Sequence, residues 1–290
     1  MDLFQKKLIL LHHWKGLSWS MTQTIIKNDP TLESFNSFTV VELRHVGVPV
    51  QTTKLQDLPL NATLELLNHY QRNGINPITI FDDQYPPLLK EIYQPPWVIF
   101  AKGNLQFLKN TKKIAVVGSR NATSYGKMAI QILFPELINQ GFIIVSGLAT
   151  GIDALSHDYA MKLGGNTIGV IAGGFDHIYP KENLILAKEM FENQLIISEY
   201  PPGSRPERWH FPLRNRIISG MCLGTLIIEA QRKSGSLITA SYAVNEGREV
   251  FAVPGNIFSP HSMGTNDLIQ QGAKLVKTGA DITEEFSFFS

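Results

Sequence analysis

The sequence contains almost no cysteine: Cys222 is the only one among 290 residues. A single thiol excludes a disulfide within the chain and a zinc site built from several cysteines. It is typical of a reducing compartment, and we expect a cytoplasmic location. No run of about 18 apolar residues occurs, so no transmembrane helix is expected. Charged residues interrupt the apolar start of the chain too early for a signal peptide.

The chain also lacks an excess of charge of either sign, with 26 lysines and arginines against 25 aspartates and glutamates. This balance excludes a polyanion-binding field over the whole surface but allows a local basic groove. Hydrophobic residues make up 43% of the chain and charged residues 18%, which excludes a disordered or fibrous protein. At about 150 residues per domain, the length predicts two domains.

The pattern of apolar residues changes along the chain. Residues 1–75 contain short stretches with helical spacing, and LRHVGVPV at residues 43–50 has an apolar–glycine turn. Such turns occur in helix-hairpin-helix modules, which bind the DNA backbone, but a plain packing role explains this one as well. From residue 112, six apolar runs alternate with helix-compatible segments: KIAVVG, FIIVSG, TIGVIAG, LIISEY, GTLIIEA and EVFAVPG. This alternation predicts a doubly wound α/β domain with a mainly parallel sheet, in which ligands bind at the carboxyl ends of the strands.

The glycine-rich fingerprints of nucleotide-binding α/β proteins are missing from the first strand–helix turn, VVGSRNATSYG. It contains neither G-x-G-x-x-G nor the Walker sequence, so we expect no nucleotide cofactor. The turn does place Gly118, Ser119 and Arg120 directly before a helix. There, backbone N–H groups, a hydroxyl and a guanidinium would point at one anion. A tight turn with a surface arginine explains the same residues equally well.

Two further strand ends combine glycine with polar side chains. Asp153 and His157 follow the second strand, but a metal site would need more ligands than these two, and no metal is expected. Gly173 ends the third strand and leaves room for a ligand. Lys181 follows it in YPKEN and contributes only if it converges with Arg120 at one rim.

Arginines and aromatic rings alternate after the fourth strand, in SEYPPGSRPERWHFPLRNRIISG. The arginines are Arg205, Arg208, Arg214 and Arg216. Such a segment suits phosphates together with stacked bases. In the alternative interpretation, the rings pack into the core and the arginines pair with acids such as Glu199 and Glu229.

Eight sequence boxes, taken in order, resemble the DNA-processing protein A family, DprA/Smf. They are VGSR…YG, SGLATGID, YPKEN, SEYP, FPLRNRIISG, EA…SGSLITA, GREVFAVPG and G.NDLI..GA. The resemblance covers about residues 76–280. It implies a sterile-alpha-motif-like helical domain over residues 1–75 and an extended Rossmann-like, DNA-binding domain over residues 76–290. Because the sequence stops soon after GADITEEF, we expect it to lack the C-terminal winged-helix domain of some members.

The resemblance implies a DNA-binding protein and not an enzyme. Members bind and protect incoming single-stranded DNA during natural transformation and help to load the recombinase RecA on it. Arg120 and Lys181 are the principal DNA-binding positions that it implies. Arg214 and Arg216 are expected in the scaffold or at the pocket edge. All implied DNA-binding positions lie in the strand-end boxes: Gly118, Ser119, Arg120, Gly173, Lys181, Arg214 and Arg216.

The resemblance also implies a homodimer through NDLIQQGAKLV, residues 266–276, with Ile269 and Leu275 on the contact surface. From the sequence alone, core packing of this segment is the alternative. A short edge strand and an exposed apolar helix face both favour association.

Two other functions fit parts of the sequence. Phosphoribohydrolases that act on nucleoside monophosphates share a related α/β fold and a PGGxGTxxE box, which corresponds here to CLGTLIIEA without the PGG portion. Glu229 would then be a catalytic carboxylate, although a buried partner for Arg214 or Arg216 is the expected role. The other alternative is a scaffold that binds RecA and no DNA.

Overall fold

The computed structural model of the chain describes residues 1–14, 16–33 and 60–289. The segment LRHVGVPV lies outside the described residues. The chain forms two compact units: Met1–Tyr85 with Pro96–Ala101, and Pro86–Pro95 with Lys102–Ser290. The domain boundary after residue 75, which the family resemblance implies, stays a prediction. Among the described residues, no helix is long and apolar enough to cross a membrane.

The smaller unit contains the helices that the N-terminal sequence predicts. They are α1 (Leu3–His12), α2 (Trp19–Asn28) and α3 (Leu60–Arg72), and they are followed by β1 (Ile75–Thr79) and the start of β2 (Val98–Gly103). A reciprocal capping box opens α1, since Asp2 accepts from the Gln5 N–H at 2.8 Å and the Gln5 side chain accepts from the Asp2 N–H at 2.7 Å. Gly74, with a φ of +67°, ends α3.

The larger unit carries the α/β pattern. Its helices are α4 (Pro87–Lys90), α5 (Gln106–Lys109), α6 (Ser124–Asn139), α7 (Ile152–Lys162), α8 (Leu184–Asn193), α9 (His210–Gly220), α10 (Gly235–Asn245), α11 (Met263–Gln270) and α12 (Ala280–Thr283). Its strands are β3 (Lys113–Val117), β4 (Ile143–Ser146), β5 (Thr167–Ile171), β6 (Leu195–Ser198), β7 (Gly224–Ile227), β8 (Glu249–Ala252) and β9 (Lys274–Leu275). The six predicted strands are confirmed as β3 to β8.

These strands lie in the order β6-β5-β4-β3-β7-β8-β9. All pairs from β6 to β9 are parallel, for example Ala115 beside Val145 and Val116 beside Leu226. From β3 the chain adds β4, β5 and β6 on one side. It then returns to the other side of β3 and adds β7, β8 and β9. Such a reversal opens a crevice at the carboxyl ends of the two central strands, which is the usual ligand position in this fold.

Helices pack against both faces of the sheet, which explains why the strands are continuous apolar runs. Ile114 and Val116 of β3 belong to one buried cluster with residues of α6 and α7. Successive side chains of a strand face opposite sides, so Ala115 and Val117 face the second layer. On that side α9 and α10 pack against each other, α9 contacts β5, and α10 contacts β7 and β8. The predicted doubly wound α/β fold is confirmed.

Candidate functional site

A cleft of about 780 Å³ opens at the carboxyl edge of the sheet, where the chain switches between β3 and β7. It is bounded by residues 117–121, by parts of segments 206–218 and 231–239, and by Ala149, Asp153 and Tyr179. The turn after β3, the start of α9 and the start of α10 thus face one space. We refer to this space as the cleft.

The turn after β3 is held tightly against α7. A Cβ on Gly118 would lie 2.7 Å from the Ile152 side chain, so only glycine fits there. The Ile152 N–H donates to the Ser119 carbonyl at 3.0 Å, and the Ser119 hydroxyl bonds to the backbone of Asn121 at 3.1 Å. These contacts fix the backbone and leave Arg120 exposed at the cleft wall.

Glu229 stabilises the start of α6 and pairs with neither Arg214 nor Arg216, so that expectation was wrong. Its carboxylate accepts from the Thr123 N–H at 3.0 Å and from the Thr123 hydroxyl at 2.5 Å. A carboxylate at a helix N-terminus satisfies free N–H groups and interacts favourably with the helix dipole. Gly126 makes room for it, because a Cβ there would lie 2.8 Å from the Glu229 carboxyl carbon.

Arg214 lies at the inner wall of the cleft and is almost fully buried. Its guanidinium donates to the carbonyls of Gly147 and Val170, at the ends of β4 and β5. Burial lowers the pKa of Arg214 to about 10, while the nearby Asp153 carboxylate opposes that shift. Burial raises the pKa of Asp153, and Arg214 opposes that shift in turn. Arg214 therefore ties two strand ends together, and its charge favours the ionised form of the buried Asp153.

Arg216 is also buried and lies away from the cleft wall described above. It forms an ion pair with Glu199 at 2.6 Å, with only about a tenth of each side chain exposed. The structure thus contains the pairing of an arginine with Glu199 that the alternative interpretation of this segment predicted. Both arginines of the FPLRNR box have partners within the protein. Whether they also contact DNA stays a prediction.

Gly173 makes room for the chain itself. A Cβ at this position would lie 2.9 Å from the Pro206 ring and 3.1 Å from the Ser204 carbonyl oxygen. The space beside Gly173 therefore receives the segment that leads to α9. A part for Gly173 in ligand binding stays a prediction.

Lys181 is exposed and is not among the residues that line the cleft. Its neighbours Pro180 and Glu182 line a smaller cavity together with Arg120. It begins a short 3₁₀ helix, Lys181–Asn183. Asn183 is buried and donates from Nδ2 to the Leu148 carbonyl at 2.9 Å, which ties the YPKEN segment to the loop after β4. The structure thus places Lys181 beside the same edge as Arg120.

The cleft wall also contains a lysine that the sequence did not single out. Lys233 is exposed at the wall, directly before Ser234, which caps α10 by accepting from the Ser236 N–H at 3.3 Å. A single lysine before a Ser-Gly-Ser turn is a weak signal, and only the fold brings it to the same cleft as Arg120. Arg208, one of four arginines in its segment, also lies at the wall.

Aromatic rings lie among these cations. Tyr179 and Phe211 contact each other edge to face, with their ring centroids 5.7 Å apart. The Arg120 guanidinium carbon lies 5.9 Å from the Phe211 ring centroid. Since Arg214 compensates the buried Asp153, the exposed cations Arg120, Arg208 and Lys233 give the cleft a positive character. Cations with accessible rings can bind phosphates and stack on bases.

Asp153 and His157 are both buried, Asp153 at the wall of the cleft. The His157 ring nitrogen Nδ1 lies 2.6 Å from the Thr167 hydroxyl. Burial lowers the pKa of His157 to about 3, so the ring is neutral at physiological pH. Within the described residues, no group of three or more His, Cys, Asp or Glu side chains is placed to hold a metal ion.

Comparisons with known proteins agree on one family. The family model of DNA recombination-mediator protein A matches residues 76–287. The DNA processing protein DprA of Bacillus subtilis is 53% identical over 220 residues, which is 76% of this chain and 74% of that protein. The DNA processing protein DprA of Streptococcus pneumoniae is 49% identical over 210 residues, or 72% of this chain and 74% of that protein.

Two solved structures are similar over most of the chain. The X-ray structure of DprA from Streptococcus pneumoniae gives a TM-score of 0.85 at 37% identity and covers 98% of this chain and 99% of that one. DNA processing protein A from Helicobacter pylori gives a TM-score of 0.66 at 28% identity and covers 74% of this chain and 96% of that one. That second structure concerns a single-stranded DNA binding mode.

Proposed function

The chain belongs to the DNA recombination-mediator protein A family, and we propose on this premise that the cleft binds single-stranded DNA during natural transformation. The observation that carries the proposal is the meeting of exposed cations with Tyr179 and Phe211 in one cleft. The single-stranded DNA binding mode of the Helicobacter pylori relative supports it.

The chemistry of the cleft favours backbone-directed binding. Arg120, Arg208 and Lys233 are cationic side chains at the wall, and the exposed Lys181 follows the wall residue Tyr179 by two positions. Phosphate contacts position a strand without carrying sequence information. The rings of Tyr179 and Phe211 can stack on any base, since every base has a π-face. We therefore expect binding with little sequence preference.

The proposed activity is binding without turnover, in a cytoplasmic protein. Glu229, the carboxylate that a phosphoribohydrolase would need, is 2% exposed and accepts two hydrogen bonds from Thr123. A buried carboxylate that already accepts hydrogen bonds at the start of a helix is not free to act on a glycosidic bond. No observation among the described residues favours the hydrolase alternative.

RecA is the proposed protein partner, as the family resemblance implies. Protecting a strand and then loading a recombinase on it requires a protein that holds DNA without cleaving it. A scaffold that binds RecA alone would leave the cations of the cleft without a role. Filter binding of a labelled oligonucleotide separates the two: retention of the strand supports DNA binding, and no retention even at low salt leaves only the scaffold.

We also propose a homodimer that forms through α11 and β9. β9 is the edge strand of the sheet, and its Leu275 is 40% exposed. Ile269, on α11, is half-buried. Gly272, with a φ of +105°, turns the chain from α11 towards β9. An apolar helix face beside a free strand edge is a surface that favours association.

Changing both Ile269 and Leu275 to glutamate should give a folded monomer, because two carboxylates at the contact would be buried without partners. Light scattering measures the mass, and circular dichroism checks the fold. Ile132→Glu, at an exposed apolar position of α6, is the control and should stay dimeric. The monomer should also bind DNA more weakly. In a dimer two clefts can contact the same strand, so binding in one raises the effective concentration of the strand at the other. A wild-type monomer at micromolar concentration contradicts the proposal.

A further inference from the structure

Two adjacent apolar side chains project from the loop after β8. Ile257 is 72% exposed. Phe258 is 85% exposed, more than any other large hydrophobic side chain in the described part of the chain. Exposing a full aromatic ring to water is unfavourable and needs a reason when it is held in place. Neither side chain is buried in the core of the larger unit.

The loop that carries these residues is rigidly built. The Asn266 side chain accepts from the Gly255 N–H at 3.1 Å and donates to the Gly255 carbonyl at 3.0 Å. At the tip, the Asn256 side chain accepts from the Phe258 N–H at 2.9 Å, and the Asn256 carbonyl accepts from the Ser259 N–H at 2.9 Å. The ring of Phe258 is therefore presented by a preorganised loop, so binding through it loses little conformational entropy.

The same loop is bonded to elements that border the cleft. The Tyr125 hydroxyl, on the helix that follows the Arg120 turn, donates to the Pro254 carbonyl. The Ala230 N–H donates to the His261 carbonyl at 2.8 Å. Ala230 directly precedes segment 231–239, parts of which line the cleft. Since β8 is parallel to β7 and lies beside it, the loop after β8 emerges at the same carboxyl edge as the cleft.

We infer that Phe258, supported by Ile257, is a stacking platform for an unpaired base of the strand that leaves the cleft. This inference rests on the proposed function and extends it to a second contact site. Lys233 at the cleft wall supplies a cation for a phosphate of the same strand, and an aromatic ring supplies the sequence-tolerant stacking that such strands use. In a duplex both faces of each base are already stacked, so this contact selects single strands.

The Phe258→Ala variant tests the platform with labelled oligothymidylates of two lengths. Single-strand sites on proteins span about 4 to 16 nucleotides, so we choose a strand of about 4 nucleotides to occupy the cleft and one of about 16 nucleotides to extend beyond it. Fluorescence anisotropy should show that the variant binds the long strand about tenfold more weakly, because one stacked base is lost, and binds the short strand as the wild type does. Phe258→Tyr should restore the long-strand affinity. Ile132→Ala, an exposed apolar residue of α6, is the matched control.

Two further measurements separate the inference from other uses of the loop. The slope of binding against salt should not change in Phe258→Ala, since stacking releases no counterions. Light scattering should show an unchanged oligomeric state. Equal affinity of wild type and Phe258→Ala for the long strand overturns the platform, and so does a variant that loses self-association, because the loop would then be a protein interface. If the wild type binds neither strand, the proposed function itself fails.

Discussion

Replacing Arg214 by methionine should lower the free energy of unfolding by about 3 kcal/mol or more, because two hydrogen bonds from a charged donor are lost. Methionine fills a similar volume but cannot donate a hydrogen bond, and it removes the charge that favours the ionised form of the buried Asp153. The carbonyls of Gly147 and Val170 lose their charged donor as well. Urea unfolding followed by circular dichroism measures the loss, which is the largest change in stability that we expect at the cleft.

Two companion variants show whether the loss comes from the buried charge. Arg208→Met removes an exposed arginine of the same wall and should change the free energy of unfolding by less than about 0.5 kcal/mol. Asp153→Asn added to Arg214→Met should recover part of the loss, because the uncompensated charge is gone. An Arg214→Met protein as stable as the wild type would contradict the anchoring role.

The sheet could be predicted from the sequence because each strand is a short apolar run that ends at glycine or a small residue. KIAVVG and GTLIIEA became the central strands β3 and β7. Their position on either side of the reversal is a property of the topology, which no local pattern encodes. Arg120 could be predicted as a site residue because it directly follows a strand end in a parallel sheet.

The partners of Arg214 and Glu229 could not be predicted, since they lie far away in the sequence. Arg214 bonds to Gly147, 67 residues earlier, and Glu229 bonds to Thr123, 106 residues earlier. Sequence spacing does not encode such distances. A charge next to an apolar stretch is compatible with a ligand, a buried partner or solvent, and only the fold selects among them.

Glycines at the strand ends gave the least specific information. A glycine permits close approach of any group, whether a ligand or a part of the protein. At Gly147 the group is the Arg214 guanidinium, and at Gly173 it is Pro206. Gly118 lies at the wall of the cleft, yet its absent side chain makes room for Ile152. Glycines that allow close packing within the protein thus produce the same sequence pattern as glycines that make room for a ligand.

Changing Arg120 and Lys181 together to alanine should produce the largest loss of single-stranded DNA binding. Each contact of a cation with a phosphate is a charge-assisted hydrogen bond worth about 1.5–3 kcal/mol, so we expect a loss of about tenfold or more for each single change. Neither side chain is buried, so the variants should fold normally. Lys109→Ala is the control, because Lys109 is exposed and precedes β3, at the opposite edge of the sheet. Fluorescence anisotropy gives the affinities.

The salt dependence of this binding tests most directly whether the cleft is the DNA site. For single strands, the logarithm of the binding constant falls with the logarithm of the salt concentration by about 0.7 for each phosphate contacted. The slope of the Arg120→Ala and Lys181→Ala double variant should therefore be smaller than that of the wild type by about 1.4, and Lys109→Ala should keep the wild-type slope. A double variant with the slope and affinity of the wild type would show that the strand binds elsewhere.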